Sequence, residues 1–257
     1  WARLALDSPD ASGDELWPVL LDAMRLSGGS AAIPLAHFNE LAGRAAALSD
    51  LRLDSLLFAG PGTDLRVGLS PRSLWMGGAV ATPKNRSFTP NIPTEEIFTT
   101  PDFRRTEGRV TCTRPIMVMD MIVEGAWLEF RSGEVVASGA SKNAEALERF
   151  LAIDRGARRL GEVALVDCSS PIWRSGKLFR NILLDENAAC HIALGHGLAA
   201  TFRGAAPMRP GEREAAGYNE SLEHTDIMIG SDLVTVSGRD AGGRERVLMQ
   251  DGRFTDW

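Results

Sequence analysis

Apolar positions recur first at helical and then at strand spacing along this chain. Ser12 followed by Glu15 has the form of a capping box, and Leu16, Val19, Leu20 and Ala23 then fall at helical intervals. A second helix is predicted from Pro34, which a first turn tolerates well, with Leu35, Phe38, Leu41 and Leu48 on one face. Residues 53–58 and 65–69 read as strands joined by Gly60-Pro61-Gly62-Thr63-Asp64. That loop lacks the spacing and Lys of a phosphate-binding loop and is read as a turn. Further strands are predicted over 109–113, 126–130 and 135–138, with Ser132-Gly133 as the bend. Residues 143–153 form a short amphipathic helix bearing Leu147, Phe150 and Leu151, which delivers the chain to an apolar run at 160–166. Ser169-Ser170-Pro171-Ile172 interrupts regular structure. The C-terminal part, from 224 to 249, reads as a short antiparallel meander turning at Ala241-Gly242-Gly243. Helices and antiparallel strands in separate blocks predict an α+β fold, a mixed, mainly antiparallel sheet with flanking helices, in one domain over residues 1–257.

Composition narrows the classes of partner. The chain has 257 residues, enough for an ample core. Its 28 basic and 34 acidic residues leave a net charge of -6, with no electrostatic footprint for nucleic acid. No apolar stretch approaches the ~20 residues that span a bilayer. The first seven residues are too short an apolar region, too soon followed by acids, for a signal peptide. Cys112, Cys168 and Cys190 are odd in number and widely spaced, which fits small buried thiols in a reducing cytoplasm.

One segment stands apart. Residues 185–195 (DENAACHIALG) set two carboxylates and an imidazole among small apolar residues, where ionised groups are expensive unless paired or bound to metal. Glu95-Glu96 follows Pro93, Glu162 is placed at the mouth of the strand over 160–166, and His224 and Asp226 share a face if their segment is extended. Residues five apart on a helix are rotated about 140° from one another, so Glu186 is expected at a helix entrance with His191 one to two turns in. Singly, each has an ordinary reading: a surface pair, a solvated acid, a helix-start acid, a core histidine. Together, Glu96, Glu162, Glu186, His191, His224 and Asp226 give four carboxylates and two imidazoles, more than one tetrahedral site needs. The set suits two divalent ions ~3.5–4 Å apart, and oxygen and nitrogen donors without thiolate favour zinc, cobalt or manganese. The metal site is expected between strand ends and a helix. His37, on the second helix, and His196, after Gly195, are read as packing residues.

These stretches resemble the M29 family of metallo-aminopeptidases. The resemblance rests on NIPTEEIFTTPD at 91–102, LGEVALV at 160–166, Ser170-Pro171-Ile172, DENAACHIALG at 185–195 and HTDIMIGS at 224–231. It implies that the six residues named above are ligands of a two-ion aminopeptidase site, with Glu95 as alternative to Glu96, acting on peptides with a free N-terminus. Glu162 would carry the proton from water to the leaving amine, with Glu186 as runner-up. The resemblance further implies a homodimer that encloses the site. Two departures accompany it. The family's tyrosine shortly after the 185–195 motif is Leu198 here, with Tyr218 as the only tyrosine and His196 as a substitute donor. The family also has an additional N-terminal domain that this chain lacks. Two other readings remain: a mononuclear non-haem iron ring-cleaving oxygenase built on His191, His224 and Asp226, and a catalytically weakened metal-binding fragment. The three additional acids favour the two-metal peptidase.

Overall fold

Ser12 caps its helix as the pattern requires: its Oγ accepts from Glu15 N, and the Glu15 carboxylate accepts from Ser12 N. The computed structural model describes residues 1–82 and 84–257, and three helices lead the chain: α1 (Ala2–Ala5), α2 (Gly13–Ala23) and α3 (Ala32–Leu51). The predicted apolar face of α3 is corrected at one position. Phe38, Leu41, Ala45 and Leu48 are buried, but Leu35 is 55% exposed. It lies about 100° round the helix from the middle of that stripe, on which Pro34 falls instead.

The strands follow in chain order as β1 (Leu53–Gly60), β2 (Thr63–Gly68), β3 (Met76–Gly77), β4 (Val80–Ala81), β5 (Ser87–Phe88), β6 (Glu96–Thr99), β7 (Thr106–Thr111), β8 (Ile116–Val118), β9 (Met121–Val123), β10 (Trp127–Arg131) and β11 (Glu134–Gly139). Helix α4 (Ala144–Leu151) leads to β12 (Leu160–Val166), and two single-turn helices, α5 (Pro171–Ser175) and α6 (Ile182–Glu186), precede β13 (His191–Gly195). Then come α7 (Pro210–Ala215), β14 (His224–Met228), β15 (Thr235–Asp240), β16 (Glu245–Gln250) and β17 (Arg253–Phe254). The segment around Pro171 is thus a helix start, with Ser170 as its cap.

An eight-stranded sheet runs β11-β10-β7-β2-β1-β15-β16-β17, and a five-stranded sheet runs β14-β13-β12-β6-β3. Two hairpins, β4-β5 and β8-β9, stand apart. The pairings between named strands are antiparallel throughout, in keeping with the predicted α+β class. The C-terminal meander is corrected: β14 pairs with β13, whereas β15 pairs with β1 and β16. Ile229 N and Gly230 N both donate to Cys190 O at the end of β14, and the chain then crosses to β15 in the larger sheet.

A shared core lies between the two large sheets. Ile97, Val163, Leu165, Ile192, Leu194 and Ile227 from the smaller sheet join Leu56, Phe58, Leu65, Val67, Val110 and Leu128 from the larger one. A second cluster packs Ala5, Leu16 and Ala23 of the leading helices against Ile172, Phe179, Leu184 and Ala188. All seven residues of β12 are buried, so both of its faces are covered, and its sequence reads as an apolar run rather than an alternation. Glu162 is therefore inside the strand, not at its mouth.

Gly161 makes that placement possible. Leu160 pairs with Leu194 and Glu162 with Ala193, so the register shifts between them. Without this bulge, Leu160 and Glu162, two apart, would share a face. With it, Leu160 enters the core and Glu162 turns to the opposite side. A Cβ on Gly161 would sit 2.2 Å from His196 O and 2.4 Å from Gly195 O. Gly161→Ala is expected to lower the unfolding free energy by about 1–3 kcal/mol, read from the urea midpoint. An unchanged midpoint would show that the bulge has room to spare.

Candidate metal centre

Directly paired residues of adjacent strands share a face, so the register of the five-stranded sheet determines which side chains meet. Ala164 opposes His191, Glu162 opposes Ala193, Ala193 opposes Asp226 and Gly195 opposes His224. Glu96 opposes Val166 and lies on the same side. Glu96, Glu162, His191, His224 and Asp226 thus project from four neighbouring strands onto one face, over a floor of Ala164, Ala193 and Gly195. Ile97, Val163, Ile192 and Ile227, each one residue along from a donor, turn to the core.

His191 Nε2 lies 3.1 Å from Glu96 Oε2, and His224 Nε2 lies 3.2 Å from Glu162 Oε2 and 3.4 Å from Asp226 Oδ1. Among the described residues, two groups offer donor atoms within 4.8 Å of one another: Glu96, Glu162 and His191, and Glu162, His224 and Asp226. Glu162 belongs to both. Glu186 joins neither but interacts with Asp226 and Glu96 from the end of α6. The helical placement of this motif is corrected, because Glu186 ends a helix and His191 opens a strand. His191-Ile192-Ala193-Leu194 then alternates donor, core, floor, core. Asp185, the other acid of the motif, faces away: its carboxylate accepts from Phe179 N and Asn181 N at 2.8 and 3.1 Å.

Glu96, Glu162 and Asp226 are 7%, 4% and 5% exposed, and among the described residues none of the four carboxylates has a Lys or Arg partner. Burial first, then Glu96 and Asp226, push Glu162 up to about 7, although its hydrogen bond to His224 pulls the other way. Burial, Asp226 and Glu96 raise Glu186 to about 9. Burial opposes a charge on either imidazole, but the surrounding carboxylates outweigh it and carry His191 to about 10 and His224 to about 11. Four carboxylates, three of them buried, with two imidazoles and no thiolate fit hard or borderline divalent ions.

The family profile described as thermophilic metalloprotease (M29) matches residues 1–254. The chain belongs to this family. Aminopeptidase T of Thermus aquaticus is 44% identical over 259 residues, covering 99% of this chain and 62% of that protein. Aminopeptidase PepS of Streptococcus thermophilus is 36% identical, covering 100% and 62%. The solved structure of wild-type AmpT from Thermus thermophilus superposes with a TM-score of 0.92 at 40% identity, over 100% of this chain and 62% of that one. The chain thus spans about 62% of the length of these relatives. A 2,5-dihydroxypyridine dioxygenase from Pseudomonas putida shares the fold alone, at a TM-score of 0.55 and 13% identity, over 86% of this chain and 62% of that one. That likeness lends the oxygenase reading no support.

In this M29 chain, Glu95 is spent elsewhere. Its carboxylate accepts from Arg25 Nε and a second guanidinium nitrogen, both at 2.6 Å, and lies 3.2 Å from His37 Nε2. His37, read as a packing residue, meets the Glu95 carboxylate across the fold. Glu95 N donates to Asn187 Oδ1 at 2.6 Å, and Asn187 Nδ2 donates to Leu183 O at 2.8 Å. Asn187 is wholly buried and adjoins Glu186, so this bond ties the segment carrying Glu96 to the one carrying Glu186. Neither Arg25 nor Asn187 was singled out from sequence. Tyr218 is buried with its hydroxyl donating to Gly197 O and beside His196 Nε2, so it does not replace the hydroxyl missing at Leu198.

Three outcomes are expected. Arg25→Gln leaves Glu95 buried without its cation and should cost about 2–3 kcal/mol in urea unfolding, below the full ~3–5 kcal/mol of a buried pair because Arg25 is partly exposed. The second concerns pH. Glu162, Glu186, His191 and His224 all have folded pKa values above their unfolded ones. Their contribution to the stability of the ion-free protein is fully present at low pH and is lost as pH rises through those folded values. The ion-free melting temperature should therefore fall from pH 6 to pH 9, and divalent ions should flatten that fall. Metal uptake at pH 7 should release protons, measured by calorimetry in two buffers of different ionisation enthalpy. Uptake without proton release would place the ions elsewhere.

Proposed function

We propose that this chain is the catalytic part of a metal-dependent aminopeptidase, removing the N-terminal residue from peptides at a two-ion site. The observation that carries the reading is the sharing of Glu162 between two donor groups: Glu96 and His191 on one side, His224 and Asp226 on the other. Its relatives bear the names of aminopeptidases, which supports the substrate class.

In this reading Glu96, Glu162 and His191 hold one ion and Glu162, His224 and Asp226 the other. Zinc, cobalt or manganese ions there would acidify a water and polarise the scissile carbonyl. If Glu162 serves both ions, the proton-carrying role assigned to it from sequence would pass to Glu186. Glu186 stands outside both donor groups yet next to Asp226, where its carboxyl can take a proton from water and return it to the leaving amine. The same carboxylates attract the substrate's free α-ammonium group, which an acylated N-terminus lacks. His224 is the open side of the group, with 29% of its side chain exposed, and gives the substrate its approach.

The test compares a leucine-initiated peptide with its N-acetylated form, using protein of measured metal content. Cleavage of the free peptide alone, abolished by chelator, is expected. Glu186→Gln should lower kcat on the order of 10²-fold or more while keeping both ions, and Glu162→Gln should lose metal. Equal cleavage of both peptides, or full activity at one ion per chain, would overturn the reading.

A further inference from the structure

We infer that Asn219 is a positioning residue: it holds the backbone on both sides of His196, so that the His196 carbonyl takes the Nδ1 proton of His224 and leaves His224 Nε2 for the ion shared with Glu162 and Asp226. The inference rests on the two-ion reading and adds to it how one donor is oriented. Asn219 lies on the stretch between α7 and β14, five residues before His224 and outside both donor groups.

His224 Nδ1 lies 2.8 Å from His196 O, while Nε2 faces Glu162 and Asp226 at 3.2 and 3.4 Å. A neutral imidazole carries one N–H. A carbonyl that accepts this N–H at Nδ1 makes Nε2 the nitrogen with the free lone pair, and it fixes the rotation of the ring as well. His191 makes the corresponding contact within its own segment, from Nδ1 to Ala189 O at 3.1 Å, two residues back. His224 depends instead on a carbonyl twenty-eight residues away in the chain. Its aim is therefore only as good as the hold on that carbonyl.

Asn219, which is buried, supplies the hold. Its Nδ2 donates to Gly195 O at 2.6 Å and to Gly156 O at 2.8 Å, and its main-chain oxygen accepts from Gly197 N at 2.9 Å. Gly197 N and His196 O belong to one planar peptide, in which N–H and C=O point opposite ways. Anchoring the N–H at Asn219 therefore aims the carbonyl at His224. The preceding peptide is held likewise, with Gly195 O accepting from Asn219 and His196 N donating to Glu223 O at 2.6 Å. A Cβ on Gly161 would strike His196 O, so the carbonyl has little room to turn toward β12. Among the described residues, Asn219 Oδ1 has no hydrogen-bond partner; the side chain acts through what its Nδ2 donates.

The variants are Asn219→Ala, the milder Asn219→Ser and, for comparison, Tyr218→Phe. Tyr218 donates to Gly197 O, so its loss loosens the same loop without freeing either peptide beside His196. The probe is zinc, buffered by a chelator and titrated into isotope-labelled protein. NMR of the ring nitrogens of the four histidines reads each ion separately, through His191 and through His224. In the unaltered protein His224 is expected to bind zinc through Nε2 and to keep a proton on Nδ1. Both Asn219 variants should raise the zinc concentration that half-saturates His224 by about 10–100-fold, with His191 changed little. Tyr218→Phe should lower the urea midpoint and move neither histidine. Zinc on His224 Nδ1 in the unaltered protein would overturn the positioning role whether or not a variant folds. An unchanged half-saturation of His224 in a folded Asn219 variant, or an equal rise in Tyr218→Phe, would overturn it too. Uptake of fewer than two ions by the unaltered protein would instead overturn the two-ion reading, and this inference with it.

Discussion

Four carboxylates gathered against one face of a sheet, with two imidazoles and, among the described residues, no guanidinium or ammonium partner, form the constraint around which the rest of this structure is arranged. Such a group is expensive to bury unless cations or protons neutralise it. The chain answers a buried acid with arginine where a plain ion pair will serve, as Glu95 and Arg25 show one residue away from Glu96. That contrast separates a site from a salt bridge. It also gives the floor a role in the proposed site: Ala164, Ala193 and Gly195 occupy the positions between the donor groups, and larger side chains there would fill the space that ions and water would need.

Much of this was legible in the sequence, and the failures have physical causes. His224 and Asp226 two apart on a strand, and an apolar run after Glu162, are local patterns that survive folding unchanged. The helical reading of residues 186–191 failed because small apolar residues suit either state, and what ends α6 is tertiary. Asn187 is held by Glu95 N, ninety-two residues away in the chain. Gly161 misled in a related way. A strand of seven buried residues has no alternation to show which side chain faces the donors, and only the partner's register reveals the bulge. The division of the C-terminal strands between two sheets is likewise a matter of which strands pair, β14 with β13 and β15 with β1, which side-chain patterns do not encode.

The first fifty residues contribute no donor, yet they hold the two segments that deliver Glu96 and Glu186. Ala5, Leu16 and Ala23 pack on the apolar side of the stretch from Ile172 to Ala188. Trp1 Nε1 donates to Phe179 O at 2.7 Å, fastening the chain's start to the same stretch. Arg25, on the link between α2 and α3, grips Glu95, and α3 itself supplies His37. The leading helices therefore act on the site through apolar packing behind Glu186 and a charged clamp beside Glu96, with Asn187 joining the two. A metal ion discriminates donor positions on the scale of tenths of an ångström, far finer than packing alone enforces, and on the proposed reading this combination of a bulge, a clamp and a backbone hydrogen bond is what would turn a face of acids into a set of donors with defined spacing.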